Sequence, residues 1–491
     1  MSSFEDLIAT RMERFQLILD KAKFNAKSYQ YDGVKWCIEN ELRPNPIGNC
    51  RGGFIADEMG LGKTIMMIGT MFSNFVQRTL IVLPPVLISQ WHKEIFNATG
   101  HNALLYYGNN KKNVTQDQVN RAPIVLTSYN MLLQNSCLLK NVVWSRVIFD
   151  EAHHLRNMRT KRFKSCKNIK ANIRWLVTGT PIQNRKQDFY NLCSMTGMDP
   201  SFYLDQSNMS VIKQFYLLRR TKAQVGIDLP PVNKTEHIIP WEDKQEMLLA
   251  EELHSLLRLS NVSSNKKKEL GSAMDGLCPL VYLMRCRQVC VLPSLLNKQL
   301  DSLVSKGVIQ PEYLESAKFS SKLDAMIHII LERKDNGKGK IIFCHYREEI
   351  DVVVDRLLKG GLTKVVSYDG RNSGGDNLRN LAEPADALVL QIQTGCEGLN
   401  LQTHFSEIYF VSPHWNPSIE DQAIARCHRI GQTKPVDIFK FVMSGFREDL
   451  DQEQEQNQDQ NQIHKKSTTM ETYVNCVQTN KREIIKDMLD M

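Results

Sequence analysis

Residues 57 to 64 read Asp57-Glu58-Met59-Gly60-Leu61-Gly62-Lys63-Thr64. An apolar run, Phe54-Ile55-Ala56, precedes them, and a stretch of helical character follows. That order suits a loop that holds phosphates. Glycines let backbone N–H groups approach the anion, Lys63 supplies a point charge to the β and γ phosphates, and Thr64 offers a hydroxyl to Mg²⁺. The strict pattern has glycine at position 57, where this chain has aspartate. Further along, Val147-Ile148-Phe149 runs into Asp150-Glu151-Ala152-His153. A carboxylate at the carboxyl end of a strand sits where α/β sheets bind ligands. Asp150 can hold Mg²⁺ through its water shell, and Glu151 can orient an attacking water or take its proton. The bland reading of the second motif is a solvated acidic turn; its place downstream of a phosphate loop disfavours that.

Such residues need a scaffold that brings distant segments to one edge. Short β-branched runs recur at Leu80–Leu83, Ile124–Leu126, Val147–Phe149 and Trp175–Val177, with helical text between them. That alternation predicts a parallel sheet covered by helices on both faces. The pattern fades after Pro231 and becomes helical and charged. It resumes at Ile341–Cys344, Val365–Ser367, Leu388–Ile392 and Ile408–Val411. The expected fold class is therefore α/β, with two parallel-sheet lobes in tandem and a helical insertion between them. The expected domains are an N-terminal amphipathic helix over 1–24, lobe one over 25–235, the insertion over 236–318, lobe two over 319–446, a disordered loop over 447–463 and a C-terminal helix over 464–491. Phe4, Leu7, Ile8, Met12 and Phe15 mark the inner face of the first helix. Glu448–Gln462 holds eight amides and six acids, too little apolar surface to order itself.

Composition narrows the class. With 491 residues, 42% hydrophobic and 24% charged, the chain is neither fibrous nor wholly disordered. It has no apolar run of bilayer length, so no membrane partner is expected. The first fifteen residues carry charges throughout, unlike a secretory signal. Twelve cysteines are scattered without a CxxC pair, which predicts reduced, mostly buried thiols and no structural zinc. The net charge is +8, and without the six acids of Glu448–Gln462 the remainder carries +14, which suits a polyanion.

In order, the motifs resemble those of the Swi/Snf-type ATPases of helicase superfamily two, over about residues 25 to 445. Tyr29–Trp36 (YQYDGVKW) is similar to the family's opening motif, in which Gln30 would read the adenine edge. Leu80–Pro84 with Gln90-Trp91, then Ile124–Met131 and Leu176–Asn184 (LVTGTPIQN), match the next. Leu218–Lys222 and Leu229–Pro231 resemble the link to the insertion, and Arg287–Cys290 with Pro293 its "RQxCxxP" segment. Ser320–Leu323 resembles the entry to lobe two, Thr394–Leu401 the fifth motif and Gln422–Gln432 (QAIARCHRIGQ) the sixth. The resemblance implies RecA-like lobes. The three-residue spacing of Arg426 and Arg429 would present both on one helix face. By the same resemblance they would act as arginine fingers on a γ-phosphate. Cys396 and Glu397 depart from the small residues many relatives have there. The compact length and the opening phrase look like one branch of the family, the baculoviral global transactivators.

What the resemblance implies is an ATP hydrolase stimulated by DNA, with ATP and Mg²⁺ as cofactors. Lys63, Thr64, Asp150, Glu151 and Gln30 would come from lobe one, Arg426 and Arg429 from lobe two. Thr127, Ser128, Thr394 and Asn400 would touch the nucleic acid, on motif position alone. The partner would be duplex DNA, tracked through its phosphates without regard to sequence, together with transcription or chromatin proteins, in the nucleus. Translocation that remodels protein–DNA complexes in transcription is the first reading. A strand-separating DNA or RNA helicase is the second, and a non-hydrolysing DNA-binding cofactor the third.

Overall fold

The β-branched and leucine-rich runs form strands buried on both faces. The computed structural model describes residues 3–183, 185–260, 279–305, 309–312, 319–371, 384–395, 399–446 and 468–489. The chain divides into two units, residues 1–228 with 483–491, and residues 229–482.

The first unit is built on seven strands: β1 (Gly52–Ile55), β2 (Thr79–Leu83), β3 (Leu104–Tyr106), β4 (Ile124–Ser128), β5 (Trp144–Asp150), β6 (Ala171–Val177) and β7 (Leu217–Leu218). Their order across the sheet is β3-β4-β2-β5-β6-β1-β7, and every pair is parallel. Side chains alternate between two cores, as strand periodicity requires. Phe54, Val147, Phe149 and Leu176 enter one, and Ile55, Ile148, Trp175 and Val177 the other. The helix Phe4–Ala22 packs on the second of these through Ile8, Met12, Phe15 and Leu19. Ser3 caps it, with Asp6 closing the reciprocal pair. Phe4 stays exposed and Leu7 only half-buried.

One register fact matters for function. Ile55 pairs with Val177, and Val177 pairs with Asp150. The ends of β1, β6 and β5 therefore lie level at one sheet edge, each about 4.8 Å from the next. The phosphate-type loop, the Thr178-Gly179-Thr180 turn and the Asp150-Glu151 pair all spring from that line.

The second unit has six strands: β8 (Val232–Ile239), β9 (Gly339–Cys344), β10 (Val365–Tyr368), β11 (Ala387–Gln391), β12 (Phe405–Phe410) and β13 (Val436–Met443). They run parallel in the order β10-β11-β9-β12-β13-β8. The strand β8 falls across the expected boundary at residue 235. All eight of its residues pair with β13, so it belongs to the second sheet from its first residue. Helices Lys244–Ser260, Pro279–Val289 and Asn297–Ser305 follow it and share a core with the second sheet. The tract Glu448–Gln462 lies outside the described residues, as do Cys396 and Glu397. Among the described residues no helix is long and apolar enough to cross a membrane.

Candidate nucleotide site

The loop after β1 wraps around its own lysine. The helix Lys63–Ser73 starts directly after Gly62, whose left-handed backbone (φ 79°) turns the chain into it. A β-carbon at Gly62 would lie 2.4 Å from Gln30 Nε2, so glycine suits both the turn and the space. Lys63 Nζ donates to the carbonyl oxygens of Asp57 at 2.8 Å and Glu58 at 3.4 Å. Gln30 is buried. Its Nε2 donates to Leu61 O at 3.2 Å, and its Oε1 accepts from Lys27 N–H at 3.0 Å. It thereby ties the first turn of the helix Ser28–Leu42 to the loop.

The aspartate at position 57 has a physical reason. Its side chain is fully buried and takes a two-pronged contact from Arg220. Arg220 Nε reaches Oδ1 at 3.1 Å, Nη2 reaches Oδ2 at 2.5 Å, and the Arg220 backbone N–H donates to Oδ1 at 2.9 Å. Arg220 also stacks over the Tyr29 ring at 5.4 Å. Beside it, Glu58 accepts from Lys222 N–H at 2.8 Å. The departure from glycine therefore clamps the loop to the segment that follows β7. Replacing Arg220 by alanine should strand a buried carboxylate, at a cost of about 3–5 kcal/mol. Chemical denaturation should show an earlier transition, and an unchanged midpoint would remove the clamp from the account.

Asp150 ends β5 with both carboxylate oxygens engaged. Trp91 Nε1 donates to Oδ2 at 2.7 Å, and Glu151 N–H donates to Oδ1 at 2.9 Å. Tyr129 hydroxyl donates to the Asp150 carbonyl at 2.6 Å. Burial first, and then the neighbouring Glu151 charge, push the Asp150 carboxyl up to about 7, against the Trp91 hydrogen bond and the Lys63 charge. Glu151 adopts a left-handed backbone, φ 50° and ψ 49°, which turns its side chain out of the strand line. Its Oε2 lies 3.2 Å from His153 Nδ1, and that nitrogen lies 3.2 Å from Thr178 Oγ1. Gly179 is the closest approach of the next turn. A β-carbon there would meet Met59 Cγ at 2.9 Å and Lys63 Nζ at 3.4 Å. Lys63, Asp150, Glu151 and the Thr178–Thr180 turn thus form one cluster in the first unit. Thr64 is half-buried in the first turn of the helix beside it.

The other expected positions fall differently. Thr127 and Ser128 are fully buried on β4, and Thr127 Oγ1 donates to Tyr106 O at 2.9 Å. Ser128 Oγ, by contrast, makes no hydrogen bond within the protein. Thr394 lies in the short helix Ile392–Gly395 after β11. Asn400 is exposed, and its Oδ1 accepts from Arg429 Nη1. The arginine pair is not on a helix face. The helix Pro417–Ile424 stops two residues before Arg426, and both arginines stand on the turns that follow. Three-residue bonds enter the pattern there: Arg426 N–H donates to Ala423 O at 3.2 Å and Cys427 N–H to Ile424 O at 3.0 Å, while His428 N–H keeps a last helical bond to Ile424 O at 2.8 Å. Cys427 Sγ and Gln432 Nε2 both donate to Phe405 O, at 2.8 and 3.0 Å, and pull the chain off the helix axis.

Sequence reasoning missed Trp91, Arg220 and Thr178 as parts of the cluster. All three stand in motifs whose order is legible, yet no local spacing tells which carboxylate or histidine each one meets.

Two α/β units, one carrying a lysine loop and an acidic strand end on a common edge, define a helicase-like ATPase. The chain matches the SNF2-related domain over residues 29–205 and the helicase conserved C-terminal domain over residues 321–431, and it belongs to the SNF2-type family of ATP-hydrolysing enzymes. A probable global transactivator of Orgyia pseudotsugata multicapsid polyhedrosis virus is 27% identical over 446 residues, which cover 85% of this chain and 86% of that one. An ATP-dependent DNA helicase of Arabidopsis thaliana is 26% identical over 463 residues, covering 84% of this chain and 58% of that one. An uncharacterised ATP-dependent helicase of Mycoplasma genitalium is 26% identical over 503 residues, which cover 97% of this chain and only 43% of that one. The solved SWI2/SNF2 ATPase core of Sulfolobus solfataricus in complex with dsDNA is 26% identical, with 86% of this chain and 89% of that one covered and a TM-score of 0.39.

Proposed function

We propose that this protein is a DNA-stimulated ATPase that translocates on duplex DNA and remodels protein–DNA complexes, acting in viral transcription in the nucleus. The observation that carries the ATPase part is the shared edge: Ile55, Val177 and Asp150 lie level, so Lys63, Glu151 and Asp150 converge. The family supports the motor reading. The viral transactivator supports the transcriptional one, and the plant DNA helicase supports DNA as the polymer tracked.

In this reading the loop from Asp57 to Thr64 cradles the phosphates, and Lys63 moves from its own carbonyls to the β and γ oxygens. Gln30 meets the base. Glu151 orients the attacking water, with His153 Nδ1 3.2 Å from its carboxylate and Thr178 Oγ1 3.2 Å from the same nitrogen. A hard cation fits the oxygen donors present: a threonine hydroxyl in the first turn of the helix after the loop, and carboxylates at the end of β5. Thr64 and Asp150 would hold Mg²⁺, which would supply charge neutralisation to the phosphates. Arg426 and Arg429 of the second unit answer the charge that develops on the γ-phosphate. Asn400 and Thr394, in the segments before them, lie nearest the DNA.

Steady-state ATP turnover tests this, measured without nucleic acid and with duplex DNA, single-stranded DNA or RNA. Duplex DNA should stimulate most. Stronger stimulation by a single strand or by RNA would favour the strand-separating alternative, and no turnover in any condition the scaffold alternative.

A further inference from the structure

The helix Met470–Leu489 belongs to no motif of the ATPase core, yet its residues up to Arg482 lie along the segment that leads to the arginine turn. Glu471 is its buried anchor. Its carboxylate pairs with Lys322, accepts from Ser412 Oγ at 2.7 Å and accepts from Met443 N–H at 3.0 Å. It thus joins the end of β13 to the segment after β12. Two turns on, Gln478 Nε2 donates to His414 O and, at 2.6 Å, to Glu420 Oε1. Glu420 is itself fully buried, accepts from His414 N–H at 2.8 Å and pairs with Lys440. Lys481 Nζ donates to Trp415 O at 2.7 Å. Arg482 meets both carboxylate oxygens of Asp421, at 2.9 and 3.0 Å. The spacing 471, 478, 481 and 482 places these donors and acceptors along one stripe of the helix.

The stripe holds Ser412–Asp421, and that segment sets the arginines. The Asp421 carbonyl accepts from Ala425 N–H at 3.0 Å, the residue next to Arg426. Cys427 and Gln432 fasten the far side of the turn to Phe405 O, so the Pro417–Ile424 helix sets the arginines from their N-terminal side, Arg426 most directly. We propose that this C-terminal helix is a strap that fixes the arginine turn for hydrolysis, with Gln478 as its principal positioning residue. The inference rests on the proposed role of the arginines, and goes beyond it by naming what holds them in place.

The test uses full-length protein with saturating duplex DNA. Gln478→Leu keeps the side-chain bulk and removes both hydrogen bonds. Maximal turnover should fall roughly 10- to 100-fold, the scale on which small misplacements of reacting groups act. The ATP KM should stay within about twofold, because the nucleotide is held by the first unit. Combined with Arg429→Ala, the Gln478→Leu change should cause little further loss, since it acts through a group already gone. Should Gln478→Leu fail to fold by circular dichroism, Arg482→Ala at the half-exposed pair should give the same split between kcat and KM at smaller size. Unchanged turnover in the folded variant overturns the strap, and so does an equal fractional loss with and without Arg429. Full turnover in Arg429→Ala alone sinks the arginine reading instead, which keeps the two failures apart.

Discussion

Arg429→Ala should leave ATP affinity nearly unchanged while turnover on duplex DNA falls by roughly 10³ to 10⁵, the range measured for arginine fingers. The affinity should hold because the candidate nucleotide cluster of Lys63, Asp150 and Glu151 lies wholly in the first unit. The fold should hold because the turn is fastened by Cys427 and Gln432 to Phe405 O, not by the guanidinium. Within the second unit the substitution removes the hydrogen bond from Arg429 to the exposed Asn400, whose amide water can satisfy instead. Turnover without DNA should fall by a smaller factor, if DNA is what brings the second unit's arginines to the phosphate. Steady-state rates of wild type and variant, with and without DNA, decide the matter. An equal loss in both conditions would remove DNA from the assembly of the site.

Glu151→Gln should bind ATP as the parent does and lose about 10² to 10⁴ of its turnover, the usual worth of a positioned general base. The amide keeps the shape and can still meet His153 Nδ1, 3.2 Å from the present carboxylate oxygen. What it cannot do is take a proton from water. Bound ATP should therefore accumulate, and equilibrium binding measured beside turnover would show it. Equal losses of binding and turnover would recast Glu151 as a structural carboxylate.

The parts of this molecule legible in its sequence are those whose information is local. Leu80–Leu83, Val147–Phe149, Ile341–Cys344 and Ile408–Val411 read as buried strands because each is a short apolar run, and strands occupy them, the last up to Phe410. The loop at Lys63 and the pair at Asp150 are legible for the same reason. Val232–Ile239 is not, because VNKTEHII is half polar and lies at the edge of the second sheet, with one strand neighbour. The Asp57–Arg220 clamp joins residues 163 positions apart, and no spacing encodes it. At the arginine turn, periodicity misleads. A three-residue step fits a helix, and only the tertiary bonds to Phe405 show that the helix has already ended.

The backbone at Glu151 carries a consequence for selection. A left-handed conformation costs a non-glycine residue on the order of 1–2 kcal/mol, and glycine would occupy φ 50° without that cost. At this position thermal endurance and catalytic output therefore pull apart. A lineage kept only for folding or for passive attachment to DNA would drift toward glycine or asparagine here and gain stability. This chain holds a glutamate in the unfavourable conformation. The stability that glycine would add here is given up for a carboxylate beside Asp150 and His153.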